Sequence, residues 1–337
     1  MLTTFHAAQA AGSDWQTVGR RLREQLPQPC HGGIGLLWGT PPLHDDLASL
    51  ALMLRSITKV SLWSPVTVDG VTGITSGQKG AAVLVLPYAP PDAVLDTDNA
   101  DPGVVLLHHS GRDGDAATRR LMTTQDFVLG ALSGTPESSG NSSYVRFGPA
   151  VAIASGVTQS CLPVGPIHAV TRTRGTHIIT IDDAPAQQIL RREIGADMLQ
   201  THADWRDRIF VGLPERGHDR DDYRTIAIAG LETDGGIVLD DPVETGRRIL
   251  FTARSAAGAA HDLRRMLHTA LARCPTPRGA LYYTTPSRRE LFPDEGGEHA
   301  HLRAALDPKI PFIGLHAAGI VSGRRTHRDA GLLVLFG

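Results

Sequence analysis

Lysine is nearly absent. Lys59, Lys79 and Lys309 are the only three, so almost all positive charge is arginine. Alongside abundant alanine and glycine, this reads as a high-GC coding bias, and a scattered arginine is weak evidence of an anion site. Cysteine is scarce too. Cys30, Cys161 and Cys274 are odd in number, far apart and without a Cys-x-x-Cys spacing. That argues against a disulfide framework or zinc ribbon and for a reducing compartment. Charge imbalance is missing, with a net charge of −2, which leaves no global electrostatic case for nucleic acid or an anionic membrane. No apolar run approaches the roughly 20 residues of a membrane helix. The N-terminal stretch MLTTFHAAQAAGSDW has no basic n-region and no apolar h-region, so no signal peptide is predicted. Together these absences predict a bacterial cytoplasmic protein, the bacterial part resting on composition alone.

What is present is alternation. A chain of 337 residues is comfortable for two domains. Residues 14–26 place Trp15, Val18, Leu22 and Leu26 on one helical face, with Ser13 as the expected N-cap. GIGLLWG (33–39) reads as a buried strand, residues 45–57 as a second helix, and KVSLWS and AAVLVLP as strands. Near the C-terminus the order returns: a helix over 259–273, the strand GALYYTTP (279–286), the helical EHAHLRAAL, then PFIGLH and GLLVLF. Overlaid without gaps, GLLWGTP meets ALYYTTP, and Leu36, Thr40 and Pro41 meet Leu281, Thr285 and Pro286. The expected fold is α/β, as two modules with mixed sheets related by an approximate internal duplication. Residues 133–144 are small and polar and predict a mobile surface loop. Residues 213–223 predict a charged connector.

Three stretches carry a resemblance: GVTQSCLPVGPIHAVTRTRGTHIITIDDAPAQQIL, RDDYRTIAIAGLETDGGIVLDDPVETGRRILFTARSA, and ALYYTTPSRRELF with IPFIGLHAAGIVSG. In order and spacing they resemble the FIST domain proteins, in which an N-terminal and a C-terminal module stand in tandem. Here that implies modules over 1–184 and 185–337. The resemblance implies a sensory module for a small ligand, and some bacterial members are similar to haem-bound nitric oxide sensors. With no room for a kinase or cyclase domain, a sensory output is expected through a signalling protein in trans. The chain departs from the family pattern at Ser160, at His316, and at Gly319-Ile320, where the family's Gly-Glu-Ile lacks its Glu here. A ligand read through that Glu is in doubt.

The candidate site follows from these stretches. Cys161, with Gln159 before it and a Pro163–Gly165 turn after it, is expected to line a pocket or form part of a wall. A catalytic thiol would need a base and a lowered pKa, and only His168 and His177 lie near in sequence. His316 and Gly319 form the expected opposite wall, at a strand end of the kind where α/β sheets bind ligands. Under the duplication, the counterpart of His316 lies near Trp63 and Ser64. His316 reads either as a hydrogen-bonded buried histidine or as a haem axial ligand. Arg324, with Arg325 and His327, reads as solvated loop charge or as a carboxylate site. EHAH (298–301) and His108–His109 invite a metal reading, but histidines at i and i+2 diverge on a helix, and the partners that tetrahedral zinc needs are not supplied. No dinucleotide fingerprint, P-loop or nucleophile elbow occurs. The leading expectation is reversible binding of a small molecule. A haem gas sensor, an enzyme using the inter-module pocket and a ligand-free interaction subunit stand as alternatives.

Overall fold

Residues 4–88, 93–94, 103–111, 126–134, 141–195, 205–214, 223–293 and 297–337 are described by a computed structural model. Contacts divide the chain into two compact units. One is Met1–Thr158 with Arg264–Gly337, and the other is Gln159–Leu263. These cuts differ from the expected division at 184/185.

The first unit holds three sheets. In one, β1 (His6–Gly12), β5 (Lys79–Leu86), β2 (His31–Gly39) and β3 (Lys59–Thr67) lie in that order. The β2–β3 pair is parallel and the others are antiparallel. Strand β5 lies between two neighbours and is buried on both faces, so it reads as the unbroken run GAAVLVL. Ala82, Leu84 and Leu86 face a core shared with the second sheet. Ala81, Val83 and Val85 face the helices α1 (Trp15–Gln25) and α2 (Leu47–Ile57), whose Val18, Leu22, Leu50 and Leu54 are buried there. Helix α1 is capped by Asp14, whose Oδ1 accepts from the Thr17 amide at 2.7 Å, and not by the expected Ser13. The expected second helix starts with a 3₁₀ turn over Pro41–Asp46, where two prolines cannot donate, and becomes α-helical at Leu47.

The second sheet runs β10 (Ile153–Thr158), β22 (Gly331–Phe336), β18 (Gly279–Thr284), β19 (Phe312–His316) and β4 (Gly70–Val71). Here β18 and β19 are parallel, with β22 antiparallel on the other side of β18. The third sheet runs β21 (Arg325–His327), β20 (Gly319–Ser322), β8 (Phe127–Ser133), β7 (Val104–Ser110), β9 (Asn141–Phe147) and β6 (Ala93–Val94). The fold is α/β with mixed sheets, as expected. One core draws Leu36 and Trp38 from the first sheet, Tyr283 and Leu315 from the second, and Leu106 and Ile320 from the third. Asn141–Tyr144 of the expected loop instead pair with β7, and residues 135–140 lie outside the described set.

The second unit is an antiparallel barrel. β11 (Cys161–Arg174), β17 (Arg248–Arg254), β14 (Ile209–Pro214), β15 (Tyr223–Leu231), β16 (Ile237–Leu239) and β12 (His177–Ile181) follow one another, and β12 pairs back onto β11. A closed sheet leaves no open edge. The short β13 (Ala184–Pro185) leads into α3 (Ala186–Ile194). Val170, Ile189, Val211, Ile226 and Phe251 fill the core of this unit. Of the expected connector 213–223, residues 215–222 lie outside the described set. Helix α4 (Ala256–Arg273) carries the chain from the second unit to the first, and α5 (Gly297–Ala305) follows β18. No described helix is long and apolar enough to cross a membrane.

Candidate ligand site

Two stretches of the first unit share one plan. After β2, the Thr40 amide donates to Gly80 O at 2.9 Å, and its hydroxyl accepts from the Gly80 amide at 2.9 Å. After β18, the Thr285 amide donates to Ala330 O at 3.3 Å, and its hydroxyl accepts from the Ala330 amide at 3.1 Å. Each threonine opens a proline-led 3₁₀ turn, and each turn leads toward a helix and a second, parallel strand. The third turn residue differs. Leu43 closes the first turn inside the core, whereas Arg288 is buried at the same place in the second.

Arg288 is answered by Glu298 at the start of α5. Its Nε donates to both carboxylate oxygens, at 3.0 and 3.1 Å, and its Nη2 also bonds to Oε1. Nη1 donates to Thr158 O at 3.0 Å, and Thr284 Oγ1 donates to Glu298 Oε2 at 2.8 Å. Burial would raise the Glu298 pKa, but the charge and hydrogen bonds of Arg288 more than offset it and hold the carboxyl below its ordinary value. The Tyr282 phenol is pushed well above its usual range, by burial first and then by the Glu298 charge.

His299 follows Glu298 and is 6% exposed. Its ring packs edge-on against Tyr282 (centroids 5.3 Å apart) and against His316 (5.4 Å). Burial lowers its pKa to about 4, so the ring is neutral at pH 7. Its Nε2 is buried without a hydrogen-bond partner, and so is Thr72 Oγ1. The two atoms converge on Gly314, where a Cβ would stand 2.6 Å from each. Both residues line a cleft of about 340 Å³, with Gln9 and Gln25 on one side and Ala300, Arg303 and Phe312 on the other. Leaving one such group unanswered costs about 1–3 kcal/mol. Two together beside one cleft call for a physical explanation.

The residues expected from the sequence are dispersed within their units. His316, at the end of β19, is half-buried beside His299 and does not line the cleft. Burial and the charge of Arg289 lower its pKa. The expected counterpart Trp63 packs with α1 and α2, its indole lying over Gly35, and the strand registers set His316 (beside Thr284) level with Thr67 (beside Gly39) instead. Gly319 pairs with Leu132 in the third sheet, and Arg324 is exposed in the β20–β21 turn.

In the second unit, Cys161 is 1% exposed, and burial pushes its thiol up to about 11. A thiol in that range is not a nucleophile at neutral pH. The Gln159 side chain ties β15 together, donating to Tyr223 O at 2.6 Å and accepting from the Thr225 amide at 3.0 Å. Pro163 is paired with Thr252, so the expected turn is strand. Gly165 marks a bulge between Val164 and His168 at φ 69°, where a side chain would collide with the Glu193 carboxylate.

His108 and His109 point to opposite faces, toward Tyr283 and Ser142 respectively. No group of three or more metal-ligating side chains forms among the described residues. The surroundings of His316 do not fit a haem. Its ring is set edge-on to one histidine and lies against the backbone of Gly70, and the cleft beside it opens on His299.

Sequence reasoning missed Thr72, Gly314, Arg288 and Glu298 as site residues. It met His299 only within EHAH, as a metal question. The available signal was the overlay itself, which sets the charged Arg288 opposite Leu43.

One segment, running from α3 into β20, matches a known family model. Residues 186–319 match the FIST C domain. The FIST resemblance is therefore borne out over those residues, and the FIST C segment supplies Arg288, Glu298, His299, Phe312 and Gly314. Thr72, Gln9 and Gln25 lie outside it. An uncharacterized protein of Mycobacterium tuberculosis is 29% identical over 247 residues, which are 69% of this chain and 60% of its own length. An uncharacterized protein of Mycobacterium bovis is 29% identical over 170 residues, 48% of this chain and 44% of its own. The chain thus spans about half the length of the curated relatives it matches.

Proposed function

We propose that the protein binds a small molecule reversibly in the cleft at Gly314 and acts as a sensory or regulatory module of the FIST type. The observation that carries this is the pair of unanswered buried atoms, His299 Nε2 and Thr72 Oγ1, converging on one glycine beside the cleft. The FIST C match supports the sensory theme, because it covers the wall that holds His299 and Gly314. The chemistry is recognition. The buried Cys161 thiol is pushed up to about 11, and the hydroxyl at the cleft, Thr72 Oγ1, makes no hydrogen bond to His299 Nε2 of the kind that activates a nucleophile. The ligand signal would pass to a partner protein. The residues around Cys161, Gln159, Pro163 and Gly165 belong to the barrel, and this reading does not use them.

The test is native mass spectrometry of the protein after incubation with a metabolite extract, beside Thr72→Val. Valine matches threonine in shape and removes only the hydroxyl. A small mass bound to the wild type and reduced on Thr72→Val is expected. A mass retained equally by both proteins contradicts the site.

A further inference from the structure

Resting on the cleft as the ligand site, the charge inventory narrows the ligand further. Among the described residues lining the cleft, Arg303 is the only charged one. Its Nη1 donates to Ile310 O at 2.6 Å, and its Nη2 bonds to Pro308 O. The guanidinium is thereby committed to closing the turn after α5. The nearest buried acid, Glu298, is held by Arg288 and Thr284 and does not line the cleft. Gln25 Nε2 donates to Gln9 O at 2.8 Å, and its Oε1 accepts from the Gln9 amide. Among the buried side-chain groups at the cleft, what remains unanswered is a hydroxyl, which both donates and accepts, and a neutral imidazole nitrogen, which does one or the other by tautomer.

A charged head placed against these two atoms would lose its hydration with no counter-charge in return, a cost that buried charges meet only when paired. A head with adjacent donor and acceptor atoms and no net charge answers both groups at once. Ala7, Ala8, Ala300, Phe312 and Ile313 line the rest of the cleft and suit a short apolar body. We infer that the cleft selects an uncharged small molecule with an amide-like head and a short apolar body, read by Thr72 Oγ1 and His299 Nε2 at Gly314.

Three probes that share one branched apolar body test this: isobutyramide, isobutyrate and isobutylammonium. The readout is the His299 ring signal in NMR of the full chain, assigned with His299→Gln. Isobutyramide is expected to shift that signal saturably, and the two ions are not expected to do so at the same concentration. Thr72→Val is expected to weaken isobutyramide about tenfold, the worth of one hydrogen bond. If isobutyrate or isobutylammonium binds at His299 as tightly as the amide, the uncharged class is overturned while the cleft stands as a site. If none of the three shifts His299, the site itself falls, and this inference with it.

Discussion

The two stretches that follow β2 and β18 use one scaffold for opposite ends. Both set a threonine astride the next antiparallel strand and both turn on a proline. The first then closes with Leu43 and packs like an ordinary core. The second buries Arg288 against Glu298 and places His299 beside it, next to a cleft with two unanswered polar atoms. Hydrophobic closure gives stability alone. A buried ion pair is weak evidence for stability, and here it fixes the start of α5, so that the next residue meets Gly314. The difference between the stretches is that the second borders the proposed ligand site.

The largest expected effect comes from breaking the pair on one side only. Arg288→Met leaves Glu298 buried and uncompensated and is expected to cost about 3–5 kcal/mol, read by urea unfolding. Arg288→Met with Glu298→Leu, which makes this stretch resemble the first, is expected to recover most of that loss. A double variant as unstable as the single one would show that the two stretches are not interchangeable.

Acid is expected to act on the second stretch through His299. Its folded pKa, about 4, lies below the ordinary histidine value of 6.5, so the unfolded chain binds the proton first. Stability is therefore full above pH 6.5 and falls as pH drops from there toward 4, by roughly 2 kcal/mol at pH 5. His108, lowered to about 3 by burial in the shared core, adds a fall of the same sign. Glu298, held below its ordinary value, adds another loss at still lower pH, as it becomes protonated. His299→Gln should flatten the slope between pH 6.5 and 5 without removing it, as thermal midpoints across that range would show.

Smaller and symmetric effects should follow at the shared threonines. Thr40→Val and Thr285→Val each remove a hydroxyl with a buried amide partner and are expected to cost about 1–2 kcal/mol each. Unequal losses would mean that the common bonding pattern hides different roles.

Much of the architecture was legible because it rests on periodicity. The Leu22 and Leu263 faces, the unbroken β5 run and the return of Thr-Pro at 285–286 follow from burial and hydrogen-bonding rules that act locally. The barrel closure was not legible, since β11–β12, β14–β15 and β15–β16 pair consecutive strands, but the β11–β17, β14–β17 and β12–β16 pairings that close the sheet are long-range. The site was less legible still. His316 was found by its strand end, yet the neighbouring His299 faces the cleft, and Gly314 matters for the side chain it lacks. The Pro163–Gly165 run looked like a turn because proline and glycine usually make one. In the barrel the proline takes an ordinary strand register and the glycine takes up a bulge.

The most direct test of the account is the thermal midpoint of Thr72→Val against wild type, with and without saturating isobutyramide. Removing an unanswered buried hydroxyl is expected to raise the ligand-free midpoint, by a stabilisation of about 1 kcal/mol, and to shrink the shift that the amide produces. A variant that melts lower without ligand yet keeps the full ligand shift would contradict the claim that Thr72 is held in reserve for a ligand.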